Sequence, residues 1–311
     1  MKFISVVTPC FNEEENVEEL YLQVKNVLSD LPDYSYEHIF IDNASVDRTV
    51  PKLKEIAAKD KNVKIIVNIR NFGWIRSPYY GILQATGEAV VFMACDLQDP
   101  PGLIPEFLKK WEEGSKIVIG VKHKSKENFL MFGIRKFFYL IMGKISDTEH
   151  IKDFTGFGLY DQGFVEIMRK LDEPYPYLRG IVSELGYDRS EVVFVQPKRQ
   201  KGKSYGNFYR LYDAAMLGFV NHSKLPLRLA SFIGFGVAFI SLLVAFGYFI
   251  YKLIFWNYFI VGAAPLVIGL FFFSSVQLFF IGIIGEYIGA IFTHVKNRPL
   301  VIEKERINFN E

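Results

Sequence analysis

At 311 residues the chain is long enough for one large domain or two modest ones, and 50% of it is hydrophobic, with 16% aromatic residues. A net charge of +2 carries no basic surplus pointing to nucleic acid, and the two cysteines, Cys10 and Cys95, lack metal-type spacing and read as reduced and structural. The apolar excess sits after about Leu229, which divides the chain into a soluble-looking body and a membrane-looking tail.

The first apolar run, broken by Pro9 and by Asn12-Glu13-Glu14-Glu15, is too short for a signal peptide and reads as a strand, Phe3 to Thr8. Glu13-Glu14-Glu15 then opens a predicted helix to about Leu31, its acidic first turn suiting the helix dipole. His38 to Ile41 is a second strand ending in Asp42-Asn43-Ala44-Ser45, followed by a helix through Lys59 with Asp47 in its first turn. The third strand, Val63 to Val67, ends in Asn68-Ile69-Arg70-Asn71-Phe72-Gly73, and a helix follows to about Ala85. The fourth, Ala89 to Met93, runs into Asp96-Leu97-Gln98-Asp99-Pro100-Pro101, and a helix over Leu103 to Glu113 leads to a fifth strand, Ile117 to Gly120. Strand and helix alternate four times over, which argues for an α/β, doubly wound, parallel sheet.

In such a sheet Pro9, Phe11, Glu13, Asp42, Asn43, Arg70 and residues 96–99 all fall along the carboxyl edge, where a nucleotide can lie across them. Side chains two apart on an extended backbone point the same way, so Asp96 and Gln98 can present oxygens together to a hard cation carrying a phosphorylated substrate. The same stretch also suits a helix-capping turn, because Asp99 before Pro-Pro is an ordinary helix start signal. No Gly-x-Gly-x-x-Gly follows the first strand and no Gly-Lys-Ser/Thr loop is present, which disfavours a dinucleotide oxidoreductase or a P-loop NTPase. A diphosphate must then be held by metal and side chains.

Asn128 to Ile145 alternates bulky apolar residues with Arg135, Lys136 and Lys144, a pattern that fits either an amphipathic helix on a bilayer surface or a buried helix of the body. Asp147 to Asp161 is glycine-rich and loop-like, Gly163 to Leu171 looks helical, and Val192 to Val195 looks like an edge strand. Lys198, Arg199, Lys201 and Lys203 make a basic segment that is either a solvated face or a set of cations meeting lipid headgroups or a phosphate. Two uncharged spans follow, Leu229 to about Tyr251 and about Ile260 to Ile284, each near the length needed to cross a bilayer. Lys224 and Arg228 before the first and Lys296 and Arg298 after the second put both ends in the cytoplasm, with Glu286 at the inner interface. The expected organisation is a cytoplasmic body over 1–205, a juxtamembrane segment over 206–228, a two-helix transmembrane hairpin over 229–289 and a cytoplasmic tail over 290–311.

With these residues in view, the chain resembles the polyprenyl-phosphate glycosyltransferases: the dolichyl-phosphate mannose synthases and, more closely, the bacterial undecaprenyl-phosphate glucosyltransferases with a two-helix tail. The stretches that carry the resemblance are Val7 to Glu14, Ile41 to Thr49, Arg70-Asn71-Phe72-Gly73, Asp96 to Pro101 and Ile284 to Gly289, in the family's order along nearly the whole chain. It implies a nucleotide-diphospho-sugar transferase fold of the GT-A type, with Pro9, Phe11, Glu13 and Asp42 around base and ribose, Lys122 near the phosphates, and Asp96 and Gln98 on Mg2+ or Mn2+. Arg199, Lys201 and Lys203 would clamp a lipid phosphate, and Asp153 would position acceptor or sugar. The implied reaction moves a sugar, with inversion, from a nucleotide sugar, a uridine donor by resemblance, to undecaprenyl phosphate at the cytoplasmic membrane.

The implied company is the lipid bilayer, other copies of the chain, and a flippase or downstream transferase. Alternative readings keep the fold but change the acceptor to another lipid or a polysaccharide, or make the chain a degenerate nucleotide-sugar-binding scaffold. This sequence departs from the family pattern in three places. Ala94 stands where Asp-x-Asp would place a carboxylate, Asp42-Asn43 replaces Asp-Asp, and the loop from Asp153 to Gly158 is one residue shorter with glycine in place of arginine.

Overall fold

The structure, a computed structural model, describes residues 1–122, 151, 153–171, 173, 175–197, 199, 225–255, 263–296 and 298–309. Eight strands make one sheet: β1 (Lys2–Cys10), β2 (Tyr34–Asp42), β3 (Val63–Asn68), β4 (Ala89–Phe92), β5 (Ile117–Lys122), β6 (Phe154–Asp161), β7 (Arg189–Phe194) and β8 (Glu303–Ile307), in the spatial order β7-β5-β6-β4-β1-β2-β3-β8. The central strands β4, β1, β2 and β3 run parallel, which is why their sequences are near-continuous apolar runs rather than alternating ones: both faces are covered.

Helices α1 (Val17–Ser29), α2 (Thr49–Lys59) and α4 (Ile104–Glu112) cover one face. Leu20, Leu53 and Phe107 meet Ile4, Val6, Phe40 and Val91 there. On the other face α3 (Gly73–Leu83), α5 (Gln162–Lys170) and α6 (Leu178–Glu184) bring Tyr79, Ile82, Phe164 and Ile181 against Val7, Ile39, Ile41 and Val90. Successive residues Val6 and Val7 therefore serve opposite cores, as the pleat requires.

The first helix begins at Val17, not at Glu13, because residues 13–15 are spent on the loop that precedes it. The sheet is mixed rather than wholly parallel. The stretch expected as a loop, Asp147 to Asp161, contains β6, which lies antiparallel between β4 and β5. Its glycines, which read as loop signals, serve the strand: Gly156 adopts a positive φ of 106°, and a Cβ on Gly158 would lie 2.4 Å from the Val118 carbonyl oxygen. The tail expected over 290–311 likewise supplies β8, antiparallel to β3. Its alternation of Glu303, Lys304, Glu305 and Arg306 conceals a strand because an edge position tolerates charge. Tyr80 donates to Glu303 at 2.8 Å, Lys54 pairs with Glu305 at 2.6 Å, and the Asn308 amide donates to the carbonyls of Ala57 and Val63, both at 2.8 Å.

Two long helices, α7 (Leu225–Ile254, 30 residues) and α8 (Ala263–Val295, 33 residues), precede β8 and touch each other. Among the described residues one stretch, Phe272–Thr293 in α8, is long and apolar enough to cross a membrane; at 1.5 Å per residue its 22 residues span about 33 Å. Since α8 continues to Val295, Glu286 lies within that stretch rather than at its end. Phe232, Phe235 and Phe239 on α7, and Leu278, Phe279 and Phe292 on α8, are exposed, the arrangement of helices whose outer surface meets apolar surroundings. The expected helix over Asn128 to Ile145, most of the juxtamembrane segment 206–228 and the start of the second span at Ile260 lie outside the described residues.

Candidate active site

The strand order brings the carboxyl ends of β1, β2, β3 and β4 side by side, and the loops leaving them are tied to one another. Asn12 N–H donates to Ser45 Oγ at 2.9 Å while Asn12 Oδ1 accepts from Val46 N–H at 2.9 Å. Glu13 N–H donates to Thr49 Oγ1 at 2.9 Å, and Glu14 Oε2 accepts from Arg48 N–H at 3.0 Å. These contacts draw residues 12–14 out of α1. Asn12, Ala44, Leu97 and Asp153 all adopt positive φ (54°, 63°, 60° and 56°), so left-handed backbone in non-glycine residues gathers in the loops at this edge.

Asp42 is fully buried and accepts from Ser45 N–H at 2.9 Å and from the Ser45 hydroxyl, which shapes the turn after β2. Burial raises its carboxyl above the usual range despite those bonds. Asn43 is used on both sides of its amide. It donates to Asn71 Oδ1 and Gly73 O, each at 3.0 Å, and accepts from Phe72 N–H at 2.9 Å and Asn68 Nδ2 at 3.3 Å. An aspartate could not make the two donations, so the departure from Asp-Asp has a physical reason: Asn43 braces the β3–α3 loop. Arg70 is exposed on that loop, with its guanidinium 4.0 Å from the Phe72 ring centroid. Pro9, in β1 opposite Ile41, and Phe11 just beyond it are half-buried on the adjoining strand end.

Arg199 links the two halves of the edge. Its Nη2 lies 2.7 Å from Glu13 Oε1 and its Nη1 lies 3.7 Å from Asp96 Oδ2. Glu13 also accepts from Asn16 Nδ2 at 2.6 Å, yet burial leaves its carboxyl above the ordinary value. Asp96 Oδ1 accepts from Gln98 N–H at 3.2 Å, and Gln98 Nε2 donates to Pro197 O at 3.3 Å, so the segment carrying Arg199 closes over the end of β4. Lys201 and Lys203 lie outside the described residues.

Asp99 does not cap the helix that follows it; its Oδ2 turns back to accept from Ala94 N–H at 2.9 Å. Buried, and beside the like charge of Asp96, its carboxyl is pushed up to about 6. Lys122, at the end of β5, is held below the ordinary lysine range by burial, while Asp99 and Asp96 act the other way. Lys122 N–H donates to Asp153 O at 3.2 Å, which places Asp153, itself exposed, at the same corner. Sequence reasoning missed Asp99 as a buried carboxylate beside Asp96, and missed Arg179 of α6, whose Nη1 donates to Phe154 O at 3.2 Å. The Tyr175-Pro176-Tyr177 run and the brevity of α6 gave no periodic signal for that helix.

The site therefore combines the carboxyl groups of Glu13, Asp42, Asp96, Asp99 and Asp153 with Gln98, Lys122 and the guanidinium groups of Arg70, Arg179 and Arg199 at the carboxyl edge of a doubly wound sheet. Among the described residues no three His, Cys, Asp or Glu side chains gather as a metal cluster, so any cation here takes most of its ligands from substrate and water.

Known proteins resemble this chain along nearly its whole length. The uncharacterized glycosyltransferase YkcC of Bacillus subtilis is 34% identical over 96% of this chain and 92% of its own. The SfII prophage-derived bactoprenol glucosyl transferase of Shigella flexneri is 34% identical over 97% of each chain. Among solved structures, glucosyl-3-phosphoglycerate synthase from Mycobacterium tuberculosis with Mn2+, uridine diphosphate and phosphoglyceric acid covers 70% of this chain and 76% of its own at 18% identity and a TM-score of 0.46, a likeness too distant to assign any residue. Residues 5–168 match the family described as Glycosyl transferase family 2, and with that match, the full-length relatives and the sheet just described, the chain belongs to glycosyl transferase family 2.

Proposed function

We propose that this chain is a membrane-anchored inverting glycosyltransferase that moves a sugar, with UDP-glucose the favoured donor, to the phosphate of a polyprenyl lipid such as undecaprenyl phosphate. The observation that carries the reading is the short return from α8 to the site edge of the sheet. Phe194 ends β7 opposite Lys122, and just beyond it Pro197 meets Gln98 and Arg199 meets Glu13. After α8 the chain returns so that Ile69 N–H donates to Ile302 O at 3.0 Å, beside the end of β3. Residues 296–302 bridge Val295 and Glu303, a reach of at most roughly 28 Å. The site edge is thereby tethered near the helix ends, where an acceptor with its tail in a bilayer presents its phosphate. A water-soluble acceptor gives no reason for such a tether. The bactoprenol acceptor in the relatives' names accords with it.

Asp96 and Gln98, joined through the left-handed Leu97 rather than along the extended backbone expected, are the residues that would hold one divalent cation, Mg2+ or Mn2+. The Asp96 carboxylate is only partly screened, with Arg199 at 3.7 Å, and among the described residues the Gln98 amide oxygen has no donor while its amide nitrogen is engaged with Pro197. Such a cation supplies Lewis-acid stabilisation of the departing diphosphate. The chain's own residues orient the reaction. Glu13, Pro9 and Phe11 flank the base and ribose, with Asp42 shaping the loop beneath, and Arg70 lies at the outer rim. Lys122 and Arg199 neutralise phosphate charge, Lys201 and Lys203 add cations for the lipid phosphate, and Asp153 positions sugar or acceptor. A phosphate monoester with a second pKa near ~6 is already largely ionised at neutral pH, so no side chain has to remove its proton. Attack from the face opposite the leaving diphosphate inverts the anomeric centre.

With α7 as a second span, both ends of the hairpin lie on the cytoplasmic side of the inner membrane. The exposed apolar faces of the two helices offer lipid-filled surface to further copies or to a flippase or later transferase that receives the product.

Purified full-length protein tested with UDP-glucose, UDP-N-acetyl sugars and GDP-mannose is expected to release UDP fastest from UDP-glucose, and only when undecaprenyl phosphate is present. Nucleotide release indifferent to the lipid, or no lipid-linked sugar from any donor, overturns the reading. Because the protein offers one carboxylate beside Gln98, calorimetry is expected to find weak Mn2+ binding alone and tighter binding with UDP present; tight binding without nucleotide removes the proposed site.

A further inference from the structure

At the carboxyl end of β3, where β8 joins it, three large apolar side chains face outward: Ile69, Trp74 and Ile302 are 50%, 43% and 48% exposed. Single exposed apolar residues are ordinary on a soluble surface, so it matters that these belong to one corner. Ile69 N–H donates to Ile302 O at 3.0 Å, one step beyond the Asn68–Glu303 pair of the β3–β8 ladder, and Trp74 follows in the first turn of α3. Val301 is buried and Leu300 rests on the second core, so Ile302 is held outward by packed neighbours rather than exposed by fraying.

Cations surround the corner. Arg70, exposed next to Ile69, keeps its guanidinium 4.0 Å from the Phe72 ring centroid. Lys296 and Arg298 are exposed on the return from α8, with Lys296 Nζ 5.0 Å from the Phe292 ring centroid at the end of the apolar stretch. Glu303, next after Ile302, is paired with Arg306 at 2.6 Å, which blunts its repulsion of anionic lipid. Tryptophan and isoleucine ringed by arginine and lysine suit the boundary between headgroups and acyl chains: the indole and aliphatic groups enter it while long basic side chains reach lipid phosphates.

The tether puts that boundary within reach. Ile302 lies seven residues beyond Val295, the last of α8, a span of at most roughly 25 Å. A second copy or another protein would have to enter the gap this short return leaves beside the bilayer. The corner is also clear of the candidate cation site. In the order β4-β1-β2-β3 it lies three strand steps, about 14 Å, from the strand that leads to Asp96 and Gln98, so contact there leaves the donor's entrance open.

Resting on the proposed membrane-anchored reading and deepening it, we propose that Ile69, Trp74 and Ile302 form a docking surface for the headgroup layer of the bilayer, seating the β3–β8 corner of the body at the membrane boundary.

The test uses the full-length protein in vesicles of phosphatidylcholine and phosphatidylglycerol whose acyl chains carry bromine near the headgroup, where it quenches tryptophan fluorescence. The chain has three tryptophans, Trp74, Trp111 and Trp256. Trp111 serves as an internal reference: its Nε1 donates to Asp161 at 2.8 Å and Lys2 lies over its ring, at the opposite edge of the sheet and roughly 26 Å away along β1. In protein carrying Trp111→Phe and Trp256→Phe, which leaves Trp74, brominated lipid is expected to cut emission at least about twofold while iodide in the water quenches it little. Adding Ile69→Ser and Ile302→Ser is expected to weaken the lipid quenching and raise the KM for undecaprenyl phosphate several-fold. The KM for the nucleotide sugar and the melting temperature are expected to stay near the parent values.

Trp74 emission quenched by iodide and untouched by brominated lipid places the surface against water or another protein and overturns the proposal, as does a serine pair that leaves the lipid quenching as it was. If the double phenylalanine variant does not fold, wild type against Trp74→Phe decides: lipid quenching must fall when Trp74 is removed, and unchanged quenching overturns the proposal. Trp74 in lipid without sugar transfer defeats the transferase reading alone, and sugar transfer with Trp74 in water defeats the docking surface alone.

Discussion

Asp96→Asn is expected to lower kcat/KM for sugar transfer by on the order of a hundred- to a thousandfold, the scale seen when one preorganised electrostatic partner of the developing charge is removed. The substitution keeps shape and the hydrogen bond from Gln98 N–H, so what it removes is charge at the place proposed for the cation. Stability is expected to change little: the carboxylate is only partly buried, and its pairing with Arg199 at 3.7 Å is loose, the kind of contact that contributes at most about 1 kcal/mol. Steady-state UDP release with a thermal melt on the same sample checks both halves. Asp153→Asn belongs beside it. If that variant turns over normally while Asp96→Asn does not, Asp153 is a corner residue without a part in the chemistry; if both fail with intact melts, Asp153 acts on sugar or acceptor. Asp96→Asn with wild-type turnover would remove the metal-centred mechanism altogether.

Gly158→Ala is expected to be severely damaging to the body. The added Cβ would lie 2.4 Å from Val118 O, 3.2 Å from Ile119 Cα and 3.3 Å from Val118 C, and all three are backbone atoms of the neighbouring strand β5. Side chains can rotate away from an intruding methyl; a ladder held on both sides by β4 and β5 cannot. Overpacking of this kind costs roughly 3 kcal/mol or more, the upper end of the usual range, and loss of folded protein on expression is the expected outcome. Gly102→Ala is the control, because nothing lies within 4 Å of its added Cβ and its backbone is not left-handed. Chemical denaturation of the pair checks the contrast, and equal stability of Gly158→Ala and wild type would mean that β6 does not run between β4 and β5 as described.

The parts of this fold that could be read from sequence are those whose physics is local. Ile4 to Val7, Ile39 to Ile41 and Val90-Val91 sit in strands covered on both faces, so an unbroken apolar run followed by an amphipathic helix identified each β-α unit. The strand ends then followed from topology, and with them the neighbourhood of Glu13, Asp42 and Asp96. What could not be read depends on partners distant in sequence. Glycine at 158 is a loop signal until Val118 is known to lie against it, and a charged run at 303–306 is a solvated tail until β3 is known to lack an outer neighbour. Arg199 is separated from Glu13 by 186 positions, and nothing near either residue announces their contact. Asn43 falls on the nucleotide edge by topology, but its bonds to Asn68 at the end of β3 and to Asn71, Phe72 and Gly73 beyond it are announced by nothing near it in sequence.

The strand added by residues 303–307 bears on how the protein can be shortened. Cutting the chain ahead of α7 to obtain a water-soluble catalytic fragment would also discard the outermost rung of the sheet, together with Leu300 and Phe309, which rest on the second core. The unsatisfied N–H and C=O groups of Val63–Asn68 would then form a bare, sticky margin inviting another copy to pair along it. A fragment that splices 298–309 back through a flexible bridge keeps that margin sealed, so the excised hairpin and the sealing strand are separable by engineering although the chain makes them in one pass.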